Sequence, residues 1–198
     1  MAPPSMPRLI IASHNKGKIR EFTEILSNHW EISPQGDHGV PEVTETGTTF
    51  VENALIKARH ACRATGCAAL ADDSGLVVPA LGGDPGLRSA RYSGNGDQAN
   101  NALLLENMAP LSGADRSAFY IAVLVILQHA DDPSPLIAEG RWSGSIATAP
   151  HGDGGFGYDP LFIPDGESRH AAELAAEEKN LISHRGKALT RLIKLAQA

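Results

Sequence analysis

Arg8-Leu9-Ile10-Ile11-Ala12-Ser13, running into His14-Asn15-Lys16-Gly17-Lys18, decides the fold class. A short apolar run that ends in turn residues predicts a buried strand. Just beyond it, Ile19, Phe22, Ile25 and Leu26 recur at the three-and-four spacing of an amphipathic helix over residues 18–28. Strand, loop and helix in that order set up an α/β chain. Residues 31–48 are poor in periodicity and rich in Pro, Gly and acids, and read as an ordered loop. Thr49-Phe50-Val51-Glu52 has the form of a capping box that opens a helix to residue 65, with Gly66 closing it. Residues 67–71 then read as a second buried strand that delivers Asp72 and Asp73 at its end.

Further along, Gly82-Gly83-Asp84-Pro85-Gly86 reads as a loop, and residues 97–108 as another amphipathic helix. Residues 117–128 form the longest β-like run, and residues 136–146 pair with it as a hairpin across Asp131-Asp132-Pro133. A last helix over residues 185–197 carries Ala188, Leu189, Leu192, Ile193 and Ala196 on one face. No internal repeat or linker interrupts this mixed α/β pattern.

Bulk properties restrict the function classes. At 198 residues and 42% apolar the chain can bury a real core. A net charge of −6 argues against a nucleic-acid or anionic-membrane partner, because nothing supplies a broad cationic surface. No stretch approaches the ~20 apolar residues of a membrane span. Residues 1–7 are Pro-rich, carry no basic-then-apolar signal pattern, and read as a short disordered tail on a cytoplasmic protein. One domain over residues 8–198 is expected to follow it. Cys62 and Cys67 read as small buried thiols rather than a disulfide framework.

Four islands carry chemistry. Ser13 to Lys18 lies between a strand and a helix N-terminus, where free N–H groups and the helix dipole suit an anion, and Lys16 and Lys18 add charge. The GxxxxGK[ST] pattern is absent, so this is no P-loop, and alone it reads equally as a solvated Lys-Gly turn. Asp72-Asp73-Ser74-Gly75 places two carboxylates side by side, which calls for a cation or proton unless it is an ordinary Asx turn. Oxygen-only ligands, with Glu42 or Glu45 as a third, favour Mg²⁺. Gly154-Gly155-Phe156-Gly157-Tyr158-Asp159-Pro160 has too few apolar residues for core and offers an aromatic to stack on a base, or else a plain turn. His184-Arg185, flanked by Lys179 and Lys187, puts cations where they oppose the helix dipole, which a bound ligand explains better than helix stability does. A solvated basic helix start is the alternative. No His/Cys zinc spacing, GxSxG elbow or GxGxxG fingerprint is present.

Together and in this order, the islands resemble the inosine triphosphate pyrophosphatase family, bacterial branch, over residues 9–195. The resemblance includes Thr49 to Ala54 with Lys57 and Ala58, Ala71 to Leu76, Pro85-Gly86 with Ser89 to Tyr92, Gly154 to Pro160, and Ser183 to Gly186. The chain's first loop reads Ser13-His14-Asn15, where the family usually has Thr-Gly-Asn or Ser-x-Asn. The resemblance implies an elongated mixed β-sheet with helices on both sides, two lobes around a central cleft, and a homodimer. It implies Mg²⁺-dependent cleavage of dITP, ITP and XTP to the monophosphate and pyrophosphate, which clears deaminated purines from the nucleotide pool. Substrate positions then match Ser13, His14, Asn15, Lys16, Gly17, Lys18, Lys57, Ser74, Phe156, Gly157, Tyr158, Asp159, Lys179, His184 and Arg185. The general base matches Asp73, and the metal carboxylates match Glu45 and Asp73 with Asp72 close by. Glu45 rather than Glu42 is aligned there because Glu45-Thr46-Gly47 precedes the capping box.

Two rivals stand beside this. A Maf-type pyrophosphatase acting on other nucleotides shares the general architecture, but the Phe-Gly-Tyr-Asp and Ser-His-Arg pair argues against it. A catalytically silent nucleotide sensor would need no acid cluster to activate water.

Overall fold

In the computed structural model, which describes residues 6–197, the opening apolar run forms β1 (Arg8–Ile11), with Leu9, Ile10 and Ile11 buried. The expected tail over residues 1–7 lies outside the described residues as far as residue 5; Met6 and Pro7 have no regular structure. After a short loop comes α1 (Lys16–Leu26), which starts two residues earlier than its apolar spacing suggests. Asn15 sets that start, because its side chain accepts a hydrogen bond from the Lys18 amide. Phe22 and Leu26 form the buried face.

Residues 31–48 are not wholly loop. Glu31–Pro34 forms β2, parallel to β1 in the register Arg8↔Glu31 to Ile11↔Pro34, and a 3-10 turn follows at Gln35–His38. Four residues ending in proline are too few to show a two-residue period, and proline suits the outermost position that β2 takes in the sheet. The capping box forms as expected at the head of α2 (Phe50–Thr65): Thr49 accepts from the Glu52 amide while Glu52 accepts from the Thr49 amide. Such a cap contributes about 1 kcal/mol. Gly66 closes the helix at φ 68°.

β3 (Ala68–Val77) corrects the expectation that Asp72 and Asp73 end a strand. The strand runs straight through both acids; β1 pairs with it only at residues 68–70, before them, and β4 is its other neighbour. Consecutive side chains in a strand point to opposite faces, so the two carboxylates diverge. α3 (Asp97–Met108), β4 (Ser117–Leu127) and β5 (Leu136–Ile146) follow their predicted bounds closely. Besides β2, two more elements were not expected: β6 (Phe162–Pro164), antiparallel to β5, and α4 (Ala176–Ile182). α5 (His184–Ala196) begins at the basic pair itself.

The six strands lie in the order β2-β1-β3-β4-β5-β6. Chain contacts divide the molecule into two compact units. The first holds residues 1–73, 123–138 and 189–198, and the second holds residues 74–122 and 139–188. The second has a core of its own, built from Leu76, Leu104, Met108, Tyr120, Trp142, Phe162 and neighbours. Cys62 is buried and donates to the Leu127 carbonyl at 3.7 Å, while Cys67 is part-buried; both are free thiols. No helix among the described residues is long and apolar enough to cross a membrane.

Candidate active site

In the first unit, burial forces each carboxylate to find a cation. Asp73 is 8% exposed, and its Oδ1 accepts from Lys57 Nζ at 2.9 Å. The same ammonium donates to Glu45 Oε1 at 2.7 Å, so the two acids converge on one positive charge. Asp72 faces a different lysine, Lys18 Nζ at 2.7 Å, as the alternation of the strand requires. Lys18 thus ties the start of α1 to β3. The loop acids separate: Glu45 joins Asp73, with the Gly47 amide donating to Asn53 Oδ1 to fix the turn beside it. Glu42 is exposed and lies 3.8 Å from His14 Nδ1. His14 is also 3.0 Å from the Gln35 side-chain amide, which ties the first loop to the turn after β2.

Burial pushes the Asp73 carboxyl above the usual aspartate range; Lys57 pulls it back, and the charges of Glu45 and Asp72 add to the rise. Burial alone would lower Lys57, but Asp73 and Glu45 outweigh it and hold the ammonium above its ordinary value. Asp73 Oδ2 is buried and accepts no hydrogen bond among the described residues. The local result is an acid held ready to accept a proton.

These residues fit a hard divalent cation that keeps much of its shell for water and phosphate. Among the described residues no three His, Cys, Asp or Glu gather as one metal site. Glu45 and Asp73 share one cation-sized position, and Asp73 Oδ2 has spare acceptor capacity. Mg²⁺ is bound in this manner, through one or two carboxylates plus substrate oxygens.

At the head of α1, Ser13 Oγ accepts from the Asn15 amide and Asn15 caps Lys18. The first turn holds no acid. Lys16 is exposed there, against the helix dipole, a placement that suits an anion.

In the second unit, the basic residues are not a solvated helix start. Lys179, His184 and Arg185 are 9%, 5% and 3% exposed. Lys179 Nζ pairs with Asp159 Oδ2 at 2.5 Å. Arg185 Nη2 donates to Ser74 Oγ at 3.3 Å. His184 stacks on Tyr120, with ring centres 4.7 Å apart and planes 9° off parallel. Gly186 lets this corner close, since a Cβ there would meet the Asn180 carbonyl oxygen. Phe156 is 37% exposed, and its ring lies 5.2 Å from Lys179 Nζ and 5.4 Å from Arg185 Cζ.

Tyr158 takes a different place from the one its segment suggested. The Gly-rich composition of residues 154–160 hides a core residue: Tyr158 is 2% exposed and donates to the Ser89 carbonyl at 2.8 Å. Phe156 is therefore the aromatic of this segment with an exposed face. Gly157 donates to Asp97 and accepts from Asn101, which fixes the loop to α3. Tyr120 and Trp142 support the cationic corner but escaped sequence reading, because both sit in strands whose apolar pattern reads as core. No local signal marks them.

The chain matches the Ham1 family over residues 9–195. It is 51% identical over 195 residues to a dITP/XTP pyrophosphatase of Ralstonia nicotianae, with 96% of each chain covered. It is 54% identical over 190 residues to a dITP/XTP pyrophosphatase of Xylella fastidiosa, covering 94% of this chain and 96% of that one. The solved structure of a HAM1 protein from Coxiella burnetii superimposes with a TM-score of 0.90 at 45% identity, covering 98% of this chain and 100% of the other. With nearly its whole length matched in sequence and in fold, this chain belongs to the Ham1 family.

Proposed function

We propose that this protein hydrolyses the non-standard purine nucleoside triphosphates dITP, ITP and XTP to the monophosphate and pyrophosphate. The observation that carries this is the buried Asp73, paired with Lys57 and keeping one carboxylate oxygen free of hydrogen bonds, in a chain half-identical to curated dITP/XTP pyrophosphatases.

Hydrolysis at the α-phosphorus needs an in-line water, a base within reach of it, and cations for the leaving pyrophosphate. Asp73 is the base. Its raised pKa makes it a better proton acceptor than an exposed aspartate. Glu45 and Asp73 would hold Mg²⁺, which would supply charge neutralisation at the phosphate oxygens. Lys57, Lys18 and Lys16, with Ser13, His14, Asn15 and Gly17 around the head of α1, take the phosphates.

The base falls to the second unit. Hypoxanthine and xanthine present an acceptor at O6 where adenine presents a donor, so Lys179 and Arg185 have a partner only in the former. A buried donor left unpaired is a strong basis for rejection. Phe156 offers a face for stacking, and Ser74 and His184 complete the set with Asp159.

The same reading makes the enzyme a cytoplasmic homodimer. It is tested by incubating the purified protein with ITP in Mg²⁺ and in excess chelator, with GTP and ATP as controls. Stoichiometric IMP and pyrophosphate from ITP alone, abolished by chelator and restored by Mg²⁺, is the expected outcome. Orthophosphate and IDP as products, or activity unaffected by chelator, would overturn it.

A further inference from the structure

Asn95-Gly96 lies just ahead of α3, and every other asparagine in the chain is followed by a residue that carries a side chain. Both residues are exposed. Gly96 holds φ 85°, a conformation that favours glycine, and nothing lies within 4 Å of where a Cβ would stand. The Asn95 backbone amide donates to Ser93 Oγ at 3.2 Å. Neither the Asn95 carboxamide nor the Gly96 amide nitrogen takes part in a hydrogen bond among the described residues. Other asparagines are held: Asn15 and Asn53 accept from backbone amides, and Asn100 is 1% exposed.

We propose that Asn95 is a site of spontaneous deamidation, and that the isoaspartate it yields loosens the first turn of α3. The Gly96 nitrogen attacks the side-chain carbonyl carbon of Asn95. It gives up its proton, the carboxamide nitrogen leaves as ammonia, and a cyclic imide joins the two residues. Water then opens the ring. Cleavage on the side-chain side leaves aspartate. Cleavage on the main-chain side leaves isoaspartate, in which the backbone runs through the former side chain, one carbon longer, and the former main-chain carbonyl is a free carboxylate.

That extra carbon enters a closed set of hydrogen bonds. Ser93 donates its amide and its hydroxyl to Asn100 Oδ1 at 2.7 and 2.8 Å, and the Gly96 carbonyl accepts from the Asn100 amide at 2.9 Å. The Asn100 side chain also donates to the Ser89 and Ala90 carbonyls, at 3.4 and 3.3 Å. Asn100 is thus fixed from both sides, so a longer chain between it and Ser93 gives way at the helix start, where backbone groups have few partners. Asp97 and Asn101 in the same first turn hold the Gly157 amide and carbonyl, each at 2.8 Å, which carries the loosening into the next loop. The added charge is not its cause, because a carboxylate just ahead of a helix N-terminus suits the dipole.

The test ages the purified protein in warm, mildly alkaline buffer without nucleotide. Ammonia release is followed, and isoaspartate is located by fragmentation mass spectrometry and by labelling with an isoaspartyl methyltransferase. Asn95 should be the first asparagine lost, with isoaspartate the main product. The aged form should melt about 2–4 °C lower, a modest loss for a chain of this length. Asn95→Asp carries the new charge without the extra carbon, and should melt with the unsubstituted protein. Asn95→Gln, which closes a larger ring far more slowly, should keep its Tm through the same ageing. Asn95 intact under conditions that convert a free peptide of residues 92–98, an aged form with unchanged Tm, or an Asn95→Asp variant as unstable as the aged form would each overturn the inference. No readout involves nucleotide, so the result is independent of the pyrophosphatase reading.

Discussion

Replacing Lys57 with glutamine probes the acid cluster without relying on turnover. Lys57 Nζ is the shared partner of Glu45 and Asp73, at 2.7 and 2.9 Å, and its side chain is only 16% exposed. Glutamine keeps most of the length but none of the charge, so two part-buried carboxylates are left facing each other. Breaking a buried ion pair by removing one partner costs about 3–5 kcal/mol. Partial exposure of Glu45, at 20% of its side chain, argues for the lower end. The assay is chemical denaturation in chelator and again with millimolar Mg²⁺, without nucleotide. The variant should lose about 3 kcal/mol in chelator and recover much of it with Mg²⁺, because the ion takes over the position of the ammonium. Without nucleotide the unsubstituted protein should respond weakly to the same ion, since its lysine fills that position until substrate phosphates draw it away. A variant as stable as wild type in chelator, or one that Mg²⁺ does not rescue, would refute the idea that Lys57 and a divalent cation serve the same pair of acids.

Other consequences follow from the same geometry. Asp73→Asn should fold normally and lose more than tenfold in kcat, a barrier change above ~1.4 kcal/mol; retention of greater activity would remove it as the base. Because burial raises the Asp73 pKa, the ionised form is disfavoured in the folded state. This residue's contribution to stability is thus largest below the ordinary aspartate pKa and falls as pH rises through its folded value. The Asn variant, with no charge to bury, should therefore lack that fall in its pH–stability curve. Carboxyl NMR of the metal-free protein should show Asp73 titrating above the usual range, and higher still in Lys57→Gln, since Lys57 pulls the value down. Arg185→Ala should lower kcat/KM for ITP by about ten- to a hundredfold, the loss of a charge-assisted hydrogen bond worth ~1.5–3 kcal/mol, while ATP changes little. Equal losses on both nucleotides would reassign Arg185 to the phosphates.

How much of this was legible in the sequence depended on length and on partners. α2 was readable because its reciprocal cap is a local signal; α3 forms over the expected residues although it has no clear apolar stripe, burying Asn100 beside Leu104 and Met108. β2 and β6, with four and three residues, are too short to display a period, and they owe their existence to pairing with β1 and β5. Asp72, Asp73 and Ser74 interrupt the apolar run of β3, so its sequence pattern ends before the strand does. The strand continues past the end of its β1 pairing with β4 as its other neighbour, and Lys18 and Lys57 bring charges that no local pattern announces. The same holds for the cationic corner. Arg185 reaches Ser74 across 111 positions of sequence, and His184 rests on a tyrosine from the middle of β4. Residue types and order were visible; burial and partnership belong to the tertiary structure.

In the proposed reaction, water deprotonated by Asp73 attacks the α-phosphorus. A single turnover of ITP in heavy-oxygen water, with both products analysed by mass spectrometry, tests it most directly. The label should appear in IMP and be absent from pyrophosphate. Label in pyrophosphate would place the attack at the β-phosphorus and remove Asp73 from the role of base at the α-phosphorus.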